Sequence, residues 1–476
     1  MAMTSAAPKL AAPGVLVRDF IKRSLYEQGK GYFSQVDCVY SPPEPVDFRA
    51  LQGHFGYINE LDKLYKSRAE SWLTPAEIFR PWYSRALGRY LLEKSAVGRA
   101  AAQAAGKGAK AKNDLRIVEI GGGNGTNALH VLDYIKECAP SVYARTKYKL
   151  IEISDAMAER QESLLGAAHP GRFEVVNEDF CSFQGHGEDG PCAVIALEVL
   201  DNLPHDKLVR KLSPASRDAD TPWWIFKSGD LNEWHQTHVV PANENGDIFR
   251  EDLRPLSDPL AIRAAEAFLG PHQLPAAPAD AEAAGKKGSS LGEKLVNWAR
   301  QSLAKGRLMS EQAPEDSAAR GIFVPTGALQ MIDTLAQKFP QHEVLAADFN
   351  MLPPPEISTW TMHSRRGEPG SVFGVRNAPL VASKNDKGNT VDHSTYLVPL
   401  GTADIFFQTD FLALQAAYKS VVGANAHAEM RTQSSFLREF ADFAYTETRS
   451  GYNPMLEDYH NMDFFIGSSV GSPARK

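Results

Sequence analysis

Cysteine is scarce in this sequence and is not arranged for metal binding or cross-linking. Four cysteines occur among 476 residues, at Cys38, Cys138, Cys181 and Cys192. They lie far apart and form no C-x-x-C pair, so neither a zinc ribbon nor a dense disulfide framework is indicated. We therefore expect a protein of a reducing compartment.

Long apolar runs and an excess of positive charge are also absent. No apolar run approaches the ~18 residues that a membrane-spanning helix needs, and the first residues lack the pattern of a secretory signal. Residues 1–18 contain Lys9 and Arg18 but no acid, which leaves a mitochondrial presequence open. The 51 basic and 58 acidic residues give a net charge of -7, so no global positive field exists for nucleic acid or an anionic membrane. We expect neither a membrane span nor a nucleic-acid partner.

The remaining composition is that of a folded protein. Hydrophobic residues make up 43% and charged residues 23% of the chain, which argues against disordered or collagen-like classes. At roughly 150 residues per domain the length corresponds to about three units, but one α/β domain with insertions is equally compatible. We divide the chain into an N-terminal helical region with a linker (1–112), a core (113–420) and a C-terminal segment that packs on the core (421–476).

Within the core, short apolar runs alternate with amphipathic ones. Strand-like runs lie at residues 115–120, 148–153, 173–176 and 193–200, and helix-like runs lie between them at 128–135 and 157–165. This alternation predicts βαβ units, a parallel sheet and a Rossmann-like α/β fold. The pattern resumes with a helix over residues 326–338 and strand-like runs at 343–352, 396–400 and 404–407.

Two stretches interrupt this pattern. Residues 100–112 are rich in Ala, Gly and Lys and predict a flexible connector. Residues from about 205 to 320 predict an irregular insertion, with a strand-like run at Trp223 and Trp224 and a disordered stretch over residues 271–290. We expect the core to continue after this insertion.

The most specific motif is a glycine-rich loop between a predicted strand and a predicted helix. Glu119 begins the run E-I-G-G-G-N-G-T, which places Gly121, Gly123 and Gly125 at alternate positions. Glycine permits a tight turn and a close approach of the backbone to a ligand. Dinucleotide sites need G-x-G-x-x-G, but Thr126 occupies the final position. The spacing favours S-adenosyl-L-methionine over NAD, and a tight turn without a ligand is the alternative.

Acidic residues follow the next two predicted strands. Glu152 lies near the end of the second strand, where a carboxylate can accept both hydroxyls of a ribose. Glu178 and Asp179 follow the third strand, where a carboxylate can accept the exocyclic amine of an adenine. Each acid alone would be an ordinary solvated residue, but together with the loop they predict a nucleoside site. The predicted cofactor contacts are Glu119, Gly121, Gly123, Gly125, Glu152 and Asp179.

The fourth predicted strand ends in a carboxylate pair, Glu198 and Asp201. Ligands of open α/β sheets bind outside the carboxyl ends of the strands, so we expect both side chains to face the crevice of the glycine loop. A guanidinium acceptor stays protonated in water, with a pKa above ~12, and its methylation needs carboxylates that orient it and help to remove a proton. We assign this catalytic role to Glu198 and Asp201. The alternative for Asp201 is a capped turn before Pro204.

Segments spread between residues 19 and 437 carry the motifs of one protein family. They are residues 19–33, T-P-A-E-I at 74–78, the glycine loop at 119–126, L-I-E-I-S at 150–154, E-V-L-D-N-L-P at 198–204, residues 401–411 and Q-S-S-F-L at 433–437. In this order they resemble the MidA-like family, which includes a mitochondrial protein arginine methyltransferase of complex I assembly. Several positions depart from the family pattern: Asp348 begins D-F-N instead of D-Y-G, and in the loop Gly122 replaces a proline and Asn124 replaces a basic residue.

The resemblance implies a methyltransferase core that uses S-adenosyl-L-methionine and is capped by the N-terminal helices, with Thr74 and Glu77 as further candidates for the cofactor pocket. It also implies a protein substrate methylated on arginine and a mitochondrial location, with a cytoplasmic location as the alternative. A small-molecule methyltransferase and a non-catalytic assembly factor that keeps the cofactor fold are the alternatives for function. We expect no metal, since His235 and His238 have no nearby acid or cysteine to complete a tetrahedral set.

Overall fold

The computed structural model describes residues 14–35, 38–67, 72–106, 114–212, 222–270, 319–385 and 389–469. Within these ranges the strands are β1 (Val15–Leu16), β2 (Arg116–Ile120), β3 (Lys147–Ile151), β4 (Phe173–Val176), β5 (Cys192–Leu197), β6 (Asp206–Lys211), β7 (Trp234–Pro241), β8 (Phe249–Pro255), β9 (Ala319–Val324), β10 (His342–Phe349), β11 (Leu380–Lys384), β12 (Thr390–Asp392), β13 (Asp404–Phe406), β14 (His427–Thr432) and β15 (Met462–Ser468). The α-helices there are α1 (Val17–Tyr26), α2 (Tyr32–Gln35), α3 (Gly53–Ser67), α4 (Pro75–Ile78), α5 (Trp82–Glu93), α6 (Ala96–Gly106), α7 (Thr126–Cys138), α8 (Pro140–Tyr143), α9 (Asp155–Ala168), α10 (Pro259–Leu269), α11 (Thr326–Lys338), α12 (Thr359–Arg365), α13 (Phe411–Val422), α14 (Gln433–Phe440) and α15 (Pro454–Glu457). None of these helices is long and apolar enough to cross a bilayer.

A seven-stranded sheet in the order β14-β15-β10-β5-β2-β3-β4 forms the centre of the protein. The five strands from β10 to β4 are parallel, and β15 and β14 run antiparallel at one edge. β5 is apolar and buried over nearly its whole length, as is typical of a parallel strand covered on both faces. The predicted Rossmann-like α/β fold is confirmed.

The C-terminal segment belongs to this sheet. β15 pairs with β10 from Glu343 to Phe349, and β14 pairs with the other edge of β15. The prediction that residues 421–476 pack on the core did not include these strands, which complete the hydrogen bonding of its sheet. The apolar sequence M-D-F-F-I-G-S of β15 is buried along most of its length, which is the physical reason for its place inside the sheet.

The insertion that we expected to be irregular contains a second, antiparallel sheet. β7 pairs with β1, β6 and β8, and β6 pairs with β9. The sequences of β6 and β8 contain many charged residues, so they do not resemble strands. Some of these charged residues are nevertheless buried, because they form ion pairs with each other. Lys207 of β6, for example, donates to Glu251 of β8 at 2.7 Å, and both side chains are nearly inaccessible. A third small sheet has the order β12-β11-β13.

Two aromatic runs that predicted strands lie in irregular but buried backbone. Trp223 and Trp224 form a turn, in which the guanidinium of Arg376 lies 4.3 Å from the ring centroid of Trp224. In the run 396–400, Tyr396 is fully buried and its hydroxyl donates to Glu251. Both strand predictions are wrong because large aromatic residues signal burial, whatever the backbone conformation.

The predicted connector is helical in its first half. α6 extends to Gly106, so residues 100–106 are not a flexible linker. The alanines of this stretch have the highest intrinsic helix propensity, which explains the difference. Residues 107–113, and the stretch 271–290 that we predicted to be disordered, lie outside the described residues.

Helix α1 joins the second sheet to the edge of the first. Arg18 near its start donates to Asp206 of β6 at 2.6 Å and to Asp258 at 2.8 Å. One turn further along, Lys22 reaches the loop after β4, and Tyr26 at the end of the helix reaches the loop after β5. The N-terminal helices therefore lie over the carboxyl ends of the parallel strands, where the predicted site is located.

Candidate functional site

A crevice of about 1000 Å³, part of it open to solvent, lies at the carboxyl ends of β2 to β5. Four carboxylates line it: Glu152, Glu178, Asp179 and Glu198. Lys22 is the only basic side chain among the described residues of the lining. The remaining walls are mostly apolar and come from β2, β3, α2 and α11. The structure thus brings four of the predicted acids to one cavity.

The glycine loop forms one wall of this crevice. Gly121 and Gly123 line it with φ angles of +64° and +53°, which favour glycine. A Cβ at Gly123 would meet no atom within 4 Å, so the side of the loop is open for a ligand to approach. Gly125 has a φ of +84° and packs against Gln161, outside the lining. It turns the chain into α7, and its contact with the cofactor stays a prediction.

Glu119 lies behind the loop and not in the crevice lining. Its carboxylate accepts hydrogen bonds from Asn127 at 2.8 Å and from the Tyr148 hydroxyl at 2.7 Å. Burial raises the pKa of Glu119 to about 7. Glu119 therefore supports the loop through these two hydrogen bonds, and its contact with the cofactor stays a prediction.

Glu152 lines the crevice where β3 ends, as predicted. One carboxylate oxygen accepts from the backbone N–H of Ser154 at 2.9 Å, and the other accepts from Gln161 at 3.1 Å. Gln161 also donates to the carbonyl of Gly123 at 2.8 Å, so it links the acid to the loop. Each carboxylate oxygen has a further lone pair for a ligand hydroxyl. Burial raises the pKa of Glu152 to about 7.

Asp179 lines the crevice but is engaged on several sides. It caps a short 3-10 helix by accepting from the backbone N–H of Cys181 at 2.8 Å, and it accepts from the Ser182 hydroxyl at 3.0 Å. Lys22 of α1 donates to its Oδ2 atom at 2.6 Å. A ligand amine at Asp179 would therefore share the carboxylate with Lys22. Glu178 beside it uses one oxygen to accept from two backbone N–H groups.

Glu198 directly follows β5 and has a φ of +51°, a left-handed conformation that costs free energy for a residue other than glycine. Its backbone N–H donates to the carbonyl of Ala347 in β10 at 2.8 Å, which holds it in place. Its half-buried carboxylate lines the crevice and has no hydrogen-bond partner among the described residues. Burial raises the pKa of Glu198 to about 8, and the charge of the Asp348 carboxylate makes a smaller contribution in the same direction.

Asp201 does not share this cavity. It is only 5% exposed, and burial together with the Asp348 and Asp404 carboxylates raises its pKa well above the ordinary value. The backbone N–H groups of Leu200 and Asp201 both donate to the Asp348 carboxylate. The turn after β5 is thus held by Asp348 from below. The prediction that Asp201 acts beside Glu198 in the crevice is corrected, because the turn directs it into the interior.

Thr74 and Glu77 also lie outside the crevice lining. Thr74 precedes α4, and its carbonyl accepts from the backbone of Glu77. The Glu77 carboxylate accepts from Asn124 at 3.1 Å and from the Thr126 hydroxyl at 2.8 Å. This pair of residues therefore connects the N-terminal helices to the glycine loop, and Thr74 makes no contribution to the cavity.

Two aromatic residues that were not among the predicted site residues also line the crevice. Tyr26 and Phe33 stack with ring centroids 5.5 Å apart, and the Tyr26 hydroxyl donates to the carbonyl of Asn202 at 3.2 Å. Both aromatic residues fall within the segment 19–33 that carries the family resemblance, which is the one signal the sequence offers. No group of three metal-ligating side chains occurs in the described part of the chain.

The crevice suits a cationic nucleoside cofactor. Its acids can accept ribose hydroxyls and an amine, and its apolar walls can cover an adenine ring. Four carboxyl groups line the crevice, and its single lysine is already paired with Asp179, so the described lining offers no free cation to a pyrophosphate. The donor set of the described lining therefore fits S-adenosyl-L-methionine and does not fit NAD.

Comparison with known proteins agrees with this chemistry. The model of a family of S-adenosyl-L-methionine-dependent methyltransferases matches residues 96–430, more than half of the chain. A curated relative, Protein arginine methyltransferase NDUFAF7 homolog, mitochondrial, from Schizosaccharomyces pombe, is 24% identical over 345 residues. That alignment covers 69% of this chain and 61% of the relative, which is less than two thirds of the relative's length.

One solved structure supports the same fold, and a second is reported beside it. A superfamily member from Burkholderia thailandensis bound to S-adenosyl-homocysteine aligns over 97% of this chain and 90% of that chain, with a TM-score of 0.52 and 16% identity. A native crystal structure of a protein of that superfamily, also from Burkholderia thailandensis, aligns over 97% and 89% with a TM-score of 0.48 and 16% identity. The first alignment extends over nearly the whole chain.

Proposed function

The chain belongs to this MidA-like family of S-adenosyl-L-methionine-dependent methyltransferases, and we propose that it methylates arginine side chains of a protein. The cofactor follows from the family, whereas the acceptor is inferred from the crevice. In the proposal, Gly121, Gly123, Glu152 and Asp179 hold the cofactor, and Glu198 meets the acceptor.

One observation carries the choice of acceptor: the carboxylate of Glu198 faces the crevice without a hydrogen-bond partner among the described residues. A half-buried, unpaired carboxylate attracts a cation that brings its own N–H donors. A guanidinium provides both, and its planar fork can donate two parallel hydrogen bonds to one carboxylate. An acceptor without charge would leave the ionised form of Glu198 uncompensated.

The chain's own residues would orient the acceptor and take up its charge. When bound, S-adenosyl-L-methionine supplies a methyl group that is already activated by the positive sulfur. Glu198 would hold the guanidinium nitrogen in line with this group and favour loss of its proton. The left-handed backbone of Glu198, fixed by Ala347, keeps the carboxylate at the edge of the glycine-loop crevice.

The two alternative functions predict other features. A non-catalytic assembly factor would have no reason to keep an accessible carboxylate at this position, so the exposure of Glu198 to the crevice favours an enzyme. A small-molecule methyltransferase would favour an enclosed acceptor pocket, but the crevice is partly open to solvent. The name of the Schizosaccharomyces pombe relative supports both the arginine acceptor and a mitochondrial location.

The chemical identity of the methylated product tests this proposal. We would incubate the purified protein with methyl-labelled S-adenosyl-L-methionine and a mitochondrial protein extract, hydrolyse the proteins, and separate the labelled amino acids. The proposal predicts label in methylarginines, and much less of it with Glu198→Gln. Glu159→Gln, on an exposed helical face, is the matched control. Label only in other amino acids or in small molecules would refute the arginine assignment.

A further inference from the structure

Two aromatic rings beside the cofactor crevice hold a lysine of the chain itself. The Nζ atom of Lys384, at the end of β11, lies 4.0 Å from the ring centroid of Trp72 and 4.7 Å from that of Tyr65 in α3. Cation–π attraction acts at such distances and is strongest for tryptophan. We call Trp72 and Tyr65 the aromatic clamp. Neither ring has a role in the proposed methyl transfer.

The ammonium group of Lys384 lacks the acidic partner that a partly buried cation normally has. It donates to the Thr390 hydroxyl at 3.1 Å, across the hairpin formed by β11 and β12. Among the described residues no carboxylate pairs with Lys384, and burial lowers its pKa. Buried charges are usually paired with opposite charges, because their removal from water costs free energy. The rings of the clamp therefore supply the attraction that an acid would otherwise supply.

Trp72 connects the clamp to the wall of the cofactor crevice. It pairs with Val39 in an isolated parallel bridge, and Val39 lines the crevice. The indole N–H of Trp72 donates to the Tyr32 hydroxyl at 2.9 Å, and the next residue, Phe33, is also part of the crevice lining. The clamp thus lies directly behind one side of the crevice wall.

Tyr65 connects the clamp to the acceptor carboxylate. Burial raises the pKa of Tyr65, a hydrogen bond with the backbone of Leu73 opposes this effect, and the charge of Glu198 adds to it. Tyr65 is therefore close enough to Glu198 to feel its electric field. Lys384 itself makes no hydrogen bond or ion pair with Glu198. The clamp and Glu198 are two separate positions for a cation, next to each other.

We propose that the aromatic clamp binds a second basic side chain of the protein substrate, beside the arginine that Glu198 receives, and that Lys384 occupies the clamp until the substrate displaces it. A guanidinium group is planar, stacks on aromatic faces and is more weakly hydrated than an ammonium group, so an arginine can replace Lys384 on these rings. The inference rests on the proposed function, because it requires a protein that carries the methylated arginine.

A purely structural role of Lys384 predicts a different outcome when the lysine is replaced. If Lys384 only fastens the β11–β12 hairpin to α3, its loss loosens the clamp and cannot strengthen the binding of a substrate. If the substrate displaces Lys384, its loss removes an internal competitor, and the substrate binds more tightly. The sign of the change in Lys384→Met therefore separates the two roles.

Isothermal titration calorimetry of the full-length protein, saturated with S-adenosylhomocysteine, tests the proposal with two peptides. Hexa-arginine presents basic side chains at every spacing, whereas the second peptide has one arginine among five glycines. We expect Lys384→Met to bind hexa-arginine about fivefold more tightly than the wild type, and Trp72→Leu to bind it about fivefold more weakly, as a cation–π contact predicts. Both variants should bind the single-arginine peptide as the wild type does.

Lys66→Met and Trp360→Leu are the matched controls. Lys66 is an exposed lysine of the same helix as Tyr65, so its replacement removes the same charge, and Trp360 is 78% exposed on α12. Where Trp72→Leu fails to fold, Lys384→Met decides. The proposal is overturned by unchanged or weaker hexa-arginine binding in Lys384→Met, by an equal gain in Lys66→Met, or by an equal gain for the single-arginine peptide.

The same measurements separate a failure of this inference from a failure of the proposed function, because calorimetry does not depend on methyl transfer. Label in methylarginines, together with unchanged hexa-arginine binding in Lys384→Met, would overturn the role of the clamp alone. Label only in other products, together with tighter hexa-arginine binding in Lys384→Met, would overturn the arginine acceptor and keep the clamp as a site for a basic side chain.

Discussion

The Lys22 ammonium lies 2.6 Å from Oδ2 of Asp179, and both side chains line the cofactor crevice. This ion pair connects helix α1 to the loop after the third parallel strand. Lys22 is about half exposed and Asp179 is mostly buried, so solvent screens the pair only in part. The contact therefore links the position of the N-terminal helix to the acid that we assign to the cofactor's adenine.

The first prediction concerns this contact. Lys22→Met should release α1 from Asp179 and accelerate dissociation of S-adenosylhomocysteine by up to about fivefold, the range expected for a partly exposed ion pair. Stopped-flow displacement measures the rate. Lys30→Met, which removes a longer and exposed contact with Glu27, is the control. An unchanged or slower dissociation rate in Lys22→Met would show that the pair does not retain the ligand.

The second prediction concerns the ribose contact. Glu152→Ala should weaken S-adenosylhomocysteine binding by at least about 1.5 kcal/mol, because hydrogen bonds to a charged group contribute ~1.5 to 3 kcal/mol. The substitution also removes the acceptor for Gln161, which orients Gly123. Isothermal titration calorimetry measures the affinity, with the exposed Glu159→Ala as control. Wild-type affinity in Glu152→Ala would remove this residue from the site.

The third prediction concerns the pH dependence of stability. Burial raises the pKa of Asp404 and Asp348 to about 7, while both would titrate near 4 in the unfolded chain. The folded state then binds protons more tightly, so this contribution to stability is full below about pH 4 and is lost as the pH rises through about 7. Asp404→Asn keeps an oxygen that can accept from Asn202 and should flatten this decline.

Thermal unfolding between pH 5.5 and 8.5 measures this effect. We expect the melting temperature of the wild-type protein to fall with rising pH, and to fall less steeply in Asp404→Asn. Asp410→Asn is the control, since Asp410 caps α13 at a more exposed position. A wild-type melting temperature that rises over this interval, or an equal slope in Asp404→Asn, would contradict the assignment.

Much of the core could be predicted because its signals are local. The strands β2 to β5 are short apolar runs, and Gly121 and Gly123 lie where G-x-G-x-G spacing places them. Glu152 and Glu198 reach the crevice because the carboxyl ends of parallel strands share one edge. These features depend on a few consecutive residues, so one sequence suffices to find them.

The remaining features depend on contacts between distant segments. Whether Asp201 turns toward the crevice or the interior is decided by Asp348, 147 residues later in the chain. Lys22 reaches the site because Arg18 anchors α1 on the second sheet. The strands of that sheet contain buried ion pairs, and their charged residues resemble a loop in the sequence. Glu119 lies at the expected position of the motif, but its carboxylate accepts hydrogen bonds from Asn127 and Tyr148. Spacing along the chain contains none of this information.

The central claim is that Glu198 acts on the acceptor nitrogen, and the kinetics of Glu198→Gln test it most directly. This change removes the charge but keeps the size, so S-adenosylhomocysteine affinity should stay within about twofold while turnover on the protein acceptor falls by about 10² or more. In the wild type, activity should rise with pH as Glu198, with its pKa of about 8, ionises, and Glu198→Gln should lose this rise. Asp201→Asn, outside the crevice, should keep most of the turnover. Intact methylation by Glu198→Gln, or loss of its cofactor binding, would contradict the account.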